Sequence, residues 1–106
     1  MSDKPWSLYL LRNERGALYT GITTDVHRRL REHRGELKGA ARFTRACKKL
    51  ELVYHCTLGS RSLALKAEAR LKRLPKSAKE KLVSMQPTAA ELLKHLRVCP
   101  VETLQN

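Results

Sequence analysis

Acidic residues are scarce in this sequence, with 10 Asp and Glu against 22 Lys and Arg, so the formal net charge at pH 7 is +12. On a chain of 106 residues, a positive charge of this size concentrates polyanions at the surface. The composition therefore favours nucleic acid as the partner. Charge alone leaves open a basic protein without any polyanion function, or a ribosome- or RNA-associated structural protein.

Paired cysteines and long apolar runs are also missing. The three cysteines, Cys47, Cys56 and Cys99, form no C-x-x-C pair and have no histidine at zinc spacing. We expect reduced thiols in a cytoplasmic protein, with Cys56 in the core. The first apolar run is short and followed by charges, so a signal peptide is not expected, and no run approaches membrane-spanning length. Neither a membrane nor a small-molecule cofactor is an expected partner.

Two β-rich runs surround a polar loop and predict a hairpin near the N-terminus. If residues 14–16 form a three-residue loop with Gly16 in the left-handed conformation, Tyr9 pairs with Gly21. Tyr9 and Tyr19 then lie on one face of the sheet as diagonal neighbours. A loop one residue longer would place the two rings on opposite faces.

A helix follows the hairpin, with Thr24 or Asp25 as its N-cap and an end near residue 34. One stripe of this helix, at the spacing i, i+3, i+4 and i+7, consists of Val26, Arg29, Leu30 and His33. Helical geometry therefore separates Arg29 from the neighbouring arginines and turns it, with His33, toward the hairpin.

The rest of the chain predicts one more strand and further helices. The strand covers residues 50–57, and a helix runs from Ser60 or Ser62 to about residue 74, where Pro75 stops it. Ser77 is the expected cap of a helix over residues 78–84, and Thr88 that of a helix over residues 89–96. Residues 35–49 are basic and loop-like, a short helix at about residues 41–46 within them is left open, and the tail over residues 100–106 is expected to fray.

Glu68 is the only carboxylate between Glu51 and Glu80, and it flanks the apolar stripe of its helix. The simpler explanation is an i,i+4 ion pair with Lys72, worth about 0.2–0.5 kcal/mol. The functional alternative is a divalent ion, because Mg²⁺ is held by one carboxylate together with substrate phosphate oxygens. Such an ion would stabilise the leaving oxygen of a phosphodiester.

The tyrosines and the basic stripe suggest acid–base chemistry on a phosphate. A phenol beside Arg29 loses its proton more easily, which would suit Tyr19 as a general base acting on water. The guanidinium of Arg29 can bind two phosphate oxygens. For His33, positioning of Tyr19, contact with a phosphate and a purely structural role all stay open, and hairpin packing is the alternative for Tyr9.

The chain carries, in this order, Tyr9 in a Ser-Leu-Tyr motif, Tyr19 in a Tyr-Thr-Gly motif, Arg29 with His33, and Glu68. This arrangement resembles the GIY-YIG nuclease superfamily. The segments LYTGITTD and ALKAEARLKRL are similar to those of its small stand-alone bacterial members of the UPF0213 type. The resemblance implies an α+β fold, a three-stranded antiparallel sheet flanked by helices. It also implies that these five residues are catalytic, and that Glu68 holds Mg²⁺ or Mn²⁺.

We expect a single domain over residues 1–106, with the GIY-YIG-like core at about 6–84 and a C-terminal helix at about 88–96. The chain departs from the family in its Ser-Leu-Tyr and Tyr-Thr-Gly motifs. Some family members use an asparagine that follows the helix carrying the metal-binding glutamate. In this chain the only asparagine after Glu68 is Asn106. No length remains for the separate DNA-binding domain of better-known members.

The favoured hypothesis is therefore a metal-dependent endonuclease acting on nucleic acid, with DNA as the first choice. The alternative is a non-catalytic nucleic-acid-binding module on the same fold. In either case, phosphates are expected to contact the basic side chains. The residues expected to make these contacts are Arg28, Arg31, Lys38, Arg42, Arg45, Lys66 and Lys72.

Overall fold

A computed structural model describes residues 4–33 and 50–99. The described elements are β1 (Trp6–Asn13), β2 (Leu18–Thr23), α1 (Val26–His33), β3 (Leu50–Gly59), α2 (Arg61–Lys72), α3 (Lys76–Met85) and α4 (Ala89–Leu96). The strands form one antiparallel sheet in the order β2-β1-β3, which confirms the predicted α+β class. Lys38, Arg42, Arg45 and the tail lie outside the described residues, as does the short helix left open within 35–49.

The β1–β2 hairpin has the predicted register. Gly16 adopts a φ of +86°, a conformation that glycine reaches without a steric penalty, and its N–H donates to the Asn13 carbonyl at 3.0 Å. Tyr9 stands opposite Gly21. Because side chains alternate along a strand, Tyr9 and Tyr19 share one face of the sheet, as the loop length predicted.

Both faces of the sheet are covered by helices. On one face, Leu8, Leu10 and Tyr54 pack with apolar residues of α2, α3 and α4, namely Leu63, Ala67, Leu71, Leu82, Leu92, Leu93 and Leu96. On the other face, Tyr9, Leu11 and Val26 form a smaller cluster. Tyr19, Leu30 and Leu52 pack against its edge. Tyr9 therefore lies under α1, in the core that the basic helix covers.

Polar bonds fix the helical layer to the sheet. The Arg12 guanidinium of β1 lies 2.6 Å from the Glu80 carboxylate of α3, and the Tyr54 hydroxyl donates to the Pro87 carbonyl at 2.8 Å. Arg70 of α2 donates to the Leu96 carbonyl at the end of α4 at 3.0 Å. The first two bonds join the sheet to α3 and to the segment before α4, and the third joins α2, which carries Glu68, to the end of α4.

Three predicted N-caps are present. The Asp25 carboxylate accepts from the Arg28 N–H at 3.1 Å, and the Ser60 hydroxyl accepts from the Leu63 N–H at 3.1 Å. Thr88 forms a reciprocal capping box with the residue at the third helical position. Each cap satisfies an amide at the start of a helix that has no carbonyl partner within the helix.

The prediction that Ser77 caps α3 is wrong. The helix begins at Lys76, with Pro75 as an N-cap that offers no side-chain hydrogen bond. The Pro75 carbonyl accepts from the Ala78 and Lys79 N–H groups at 3.0 and 3.1 Å. Pro75 ends the preceding turn in an extended conformation, so helical bonding starts two residues earlier than predicted and Ser77 falls within the first turn.

Candidate active site

Tyr9 occupies the centre of the candidate site. Its side chain is 4% exposed, and its hydroxyl oxygen lies 3.0 Å from His33 Nε2. The two rings meet edge to face, with centroids 6.0 Å apart. When the imidazole proton is on Nδ1, the phenol donates to Nε2. The first tyrosine motif and the end of α1 are thus joined by a buried hydrogen bond.

Gly21 makes room for the Tyr9 ring. Tyr9 faces Gly21 across the β1–β2 ladder, and a Cβ at position 21 would overlap the hydroxyl-bearing end of the ring. Glycine within a strand often marks a close approach of another group. Here the approaching group is the phenol, so the glycine beside Tyr19 in sequence serves Tyr9 in space.

Arg29 acts on the same phenol from the same helix. Its charge and its hydrogen bond both oppose the rise in the pKa of Tyr9, and Arg29 Nη1 donates to Glu32 Oε1 at 2.8 Å. Arg28 approaches the other Glu32 oxygen at 3.4 Å. Sequence reasoning missed Glu32, although its i,i+3 spacing from Arg29 is visible in the chain and is typical of such a pair.

Burial sets the protonation states of Tyr9 and His33. Desolvation raises the pKa of Tyr9 above its ordinary value and outweighs Arg29, while the charges of Glu68 and Glu32 raise it further. Desolvation also lowers the pKa of His33, and the charge of Arg29 lowers it more. Both groups are therefore neutral at neutral pH, although Arg29 by itself favours ionisation of the Tyr9 phenol.

Tyr19 lies at the edge of the same cluster but has a different partner. Its hydroxyl accepts from Asn13 Nδ2 at 3.2 Å, and Asn13 Oδ1 in turn accepts from the Arg15 and Ala17 N–H groups, each at 2.9 Å. The hydrogen bond described for His33 reaches Tyr9, whereas positioning of Tyr19 was one of the three roles left open for His33. Tyr19 is thereby connected to the hairpin loop.

Glu68 is positioned by α2 near this phenol. Its side chain is 19% exposed, and Lys72 Nζ lies 3.2 Å from its Oε2, which is the ion pair expected from the i,i+4 spacing. Its negative charge also raises the pKa of Tyr9, so the carboxylate lies within electrostatic reach of the site. The ion pair and the proximity to Tyr9 are both present.

The chemistry of the donor set decides which ion Glu68 could hold. Among the described residues, no group of three or more His, Cys, Asp or Glu side chains comes together. A closed protein site of the zinc type is therefore not formed there. A lone, partly exposed carboxylate fits a hard divalent ion that keeps most of its waters and binds substrate phosphate oxygens.

The remaining predicted nucleic-acid contacts that the structure describes lie on the surface. Arg28, Arg31, Lys66 and Lys72 are all exposed. Arg28 and Arg31 extend from α1, and Lys66 and Lys72 from α2. The described cations therefore lie on the two helices that also carry Arg29 and Glu68.

A small α+β sheet with tyrosines on two adjacent strands and an arginine helix over them defines a class of catalytic domain. The profile of the family described as the GIY-YIG catalytic domain matches residues 5–81, and the chain belongs to this family. The family indicates a nuclease-type function with a nucleic-acid substrate, and its nucleases are generally dependent on divalent metal ions.

The chain is also similar to individual UPF0213 proteins. It is 54% identical over 97 residues to one from Yersinia enterocolitica, covering 92% of this chain and 98% of the relative. It is 58% identical over 87 residues to one from Yersinia pestis, covering 82% and 90%. The NMR structure of a UPF0213 protein from Bacillus halodurans aligns with a TM-score of 0.50 and 34% identity, over 89% and 98% of the chains.

None of the helices described for residues 4–33 and 50–99 is both long and apolar enough to cross a membrane.

Proposed function

We propose that this protein is an endonuclease that hydrolyses phosphodiester bonds of nucleic acid, with DNA as the first substrate to test, in the presence of Mg²⁺ or Mn²⁺. The observation that carries the proposal is the buried hydrogen bond between Tyr9 and His33. Arg29 and Glu68 act electrostatically on the same phenol. A binding surface alone gives no reason to bury this pair beside a cation and a carboxylate.

Tyr9, rather than Tyr19, is the proposed group that takes a proton from the attacking water. Because burial raises the pKa of Tyr9, a free phenolate is scarce at neutral pH. His33 resolves this difficulty, since its lowered pKa keeps Nε2 unprotonated and able to accept. The Tyr9 oxygen takes the proton of water as its own proton moves to His33 Nε2, and no buried charge has to exist beforehand.

Arg29 is the proposed phosphate ligand. Its guanidinium has five N–H donors, and one of its nitrogens is bound to Glu32, which fixes the orientation of the group. A planar guanidinium can contact two phosphate oxygens and offset the negative charge that grows in the transition state. Partial burial, with 30% of the side chain exposed, strengthens that interaction relative to one in bulk water.

Glu68 is the proposed metal ligand. Oε2 is paired with Lys72, and none of the described residues donates a hydrogen bond to Oε1, so one oxygen is available to an ion. A divalent ion bound there would supply stabilisation of the charge on the leaving oxygen. The position of Glu68 near Tyr9 supports this assignment, because the base and the leaving group flank one phosphate.

The test compares cleavage and binding for the wild type and three variants. Glu68→Gln keeps the shape but removes the charge a divalent ion needs, so cleavage should fall at least about 100-fold while DNA binding is retained or tightened. Lys72→Gln removes the ion-pair partner and should lower affinity while keeping metal-dependent cleavage at saturating protein. Glu51→Gln, on the exposed side of β3, is the charge-matched control and should behave as wild type.

Labelled duplex, branched and single-stranded substrates should be incubated with Mg²⁺, Mn²⁺ or EDTA, with circular dichroism as the control for folding. Equal losses of cleavage in Glu68→Gln and Lys72→Gln would mean that the ion pair, not a metal, explains Glu68. If the wild type binds every substrate but cuts none with either ion, the non-catalytic nucleic-acid-binding module becomes the better description.

A further inference from the structure

A concave surface lies at the end of the sheet where β1 begins. It has a volume of about 570 Å³, within the usual range for small-ligand sites, and its lining includes Lys4, Trp6, Thr24, Gly59 and Arg61. We call this surface the Trp6 notch. None of its residues belongs to the candidate active site.

Trp6 is the only tryptophan of the chain, and it is a member of neither core cluster. Its ring is partly exposed, and the Arg61 guanidinium lies 5.5 Å from the ring centroid. Within the described residues the indole N–H has no acceptor. A large aromatic ring that neither fills a core nor satisfies its polar group is suited to contact with another flat ring.

Gly59 leaves this notch open. It is the β3 partner of Trp6 and has a φ of +119°, and a Cβ built on it would meet no atom within 4 Å. Gly21 shows the opposite situation, because the space beside it is filled by the Tyr9 ring. Two aromatic residues of β1 thus face glycines, and only the space at Trp6 stays empty.

The cations of the notch are not neutralised by described residues. Lys4 and Arg61 are exposed, and no carboxylate in residues 4–33 or 50–99 forms an ion pair with either. The basic side chains nearest the active site differ in this respect, since Arg29, Arg28 and Lys72 are each paired with a glutamate. The notch therefore combines a partly exposed tryptophan, with the Arg61 guanidinium over its ring, and positive charge that no described carboxylate neutralises.

One wall of the notch, Arg61, lies on the same helix as Glu68, the proposed metal ligand. Arg61 precedes Glu68 by seven residues on α2, which is close to two full turns, so the two side chains share one side about 10 Å apart. Trp6 precedes Tyr9 by three residues on β1, about 10 Å along the strand, and because side chains alternate the two rings lie on opposite faces of the sheet. A nucleic-acid strand covers that distance in about three stacked nucleotides.

We infer that the Trp6 notch binds one unstacked nucleotide of the substrate strand, with the base against the Trp6 ring and the phosphate held by Arg61 and Lys4. This inference rests on the proposed nucleic-acid function and adds a subsite to it. Stacking on an aromatic ring is tolerant of sequence because every base has a flat face. The notch would thus favour strands with an unpaired base near the cleavage position.

The test uses the intrinsic fluorescence of Trp6, which reports on this site alone. Wild-type protein is titrated in EDTA, so that no cleavage occurs. The three titrants have equal length: a short oligothymidylate, the corresponding oligomer of ribonucleotides, and an abasic oligomer. Binding is followed separately by anisotropy of labelled strands. The thymidylate and ribonucleotide strands should quench Trp6, and the abasic strand should bind more weakly with little quenching.

Two variants complete the test. Trp6→Leu should weaken binding of the base-containing strand about tenfold and leave the abasic strand unaffected. Arg61→Gln should weaken both strands more than Arg73→Gln, a matched loss of charge at the other end of α2. Saturating binding without any change in Trp6 fluorescence would overturn the inference, as would equal effects of the two arginine variants. If the strands quench Trp6 but are never cut, the nucleotide site at the Trp6 notch is supported and the nuclease proposal is refuted. If the strands are cut in the presence of metal but do not quench Trp6, the nuclease proposal is supported and the nucleotide site is refuted.

Discussion

At the scale of single residues, Tyr9 and Tyr19 are chemically alike but differ in surroundings. Tyr9 faces His33 and Arg29, whereas the hydroxyl of Tyr19 accepts from Asn13. Alternation along β1 and β2 predicted their shared face. The sequence could not predict which phenol meets the histidine, because that depends on how α1 docks on the sheet.

We predict that Tyr9→Phe reduces cleavage about 100-fold or more, because it removes the group proposed to relay the proton of water. Tyr19→Phe should reduce it less than tenfold, since the hydroxyl it removes is bound to the hairpin loop. Single-turnover rates at saturating protein measure both effects. A greater loss for Tyr19→Phe would reverse the assignment of the base, provided that both variants melt as cooperatively as wild type.

The proposed role of His33 predicts a pH dependence of cleavage with a defined direction. In that proposal the neutral form of His33 is the proton acceptor, and burial and then the charge of Arg29 lower its pKa below the ordinary value of 6.5. Cleavage should therefore rise with pH through a value below 6.5 and then level off, and His33→Gln should lose most activity together with this rise. A wild-type profile that is flat from about pH 5 to pH 8 would contradict the role of His33.

The same lowered pKa bears on stability. The unfolded chain binds a proton on His33 at a higher pH than the folded chain does. The contribution of neutral His33 to the free energy of unfolding is therefore complete above pH 6.5. It declines as pH falls through the folded pKa. Urea unfolding of wild type should show this decline below pH 6.5, and His33→Gln should show a smaller one.

Glu32 and Glu68 show where residue-level reasoning succeeded and where it failed. Glu68 stood out as a lone carboxylate, and the structure gives it both its expected lysine partner and a place near Tyr9. Glu32 was overlooked within an arginine-rich helix, yet it holds Arg29. The rise in the pKa of Tyr9 was not predictable either, because desolvation follows from packing rather than from neighbours in sequence.

At the scale of elements, the hairpin was the most predictable part of the chain. Its register follows from a loop of fixed length closed by Gly16, which is local chemistry. The start of α3 was not predictable, because the helix begins on the Pro75 carbonyl rather than on a capping side chain, and the turn out of α2 that places this carbonyl has no local signal. The pairing of a strand with a distant helix, as in Arg12 with Glu80, has no local signal.

Gly21 allows a direct test of how β1 and β2 fit together. We predict that Gly21→Ala destabilises the fold and lowers cleavage, because the added Cβ overlaps the Tyr9 ring. In a Tyr9→Ala background the same change should destabilise much less, since the overlap is gone. Denaturant unfolding of the four proteins measures the coupling. Additive losses would mean that the glycine is required for another reason.

At the scale of the whole molecule, the net charge of +12 makes a prediction that does not depend on the catalytic assignment. Affinity for duplex should fall steeply as salt rises from about 50 to 200 mM, because bound Lys and Arg displace counterions. Anisotropy titrations at several salt concentrations give the slope. A charge-neutral oligomer of the same sequence is the control, and affinity that ignored salt would exclude phosphate contacts as the main source of binding.

The position of β1 in the middle of the sheet has one further consequence. Its backbone is hydrogen-bonded on both sides, to β2 and to β3, and Tyr9 stands near its centre. Amides in such a strand exchange with solvent only when the domain opens globally, while edges and termini open locally. Tyr9, the proposed general base, is thus part of the slowest-opening unit of the protein, and heat inactivation should coincide with loss of the entire native structure.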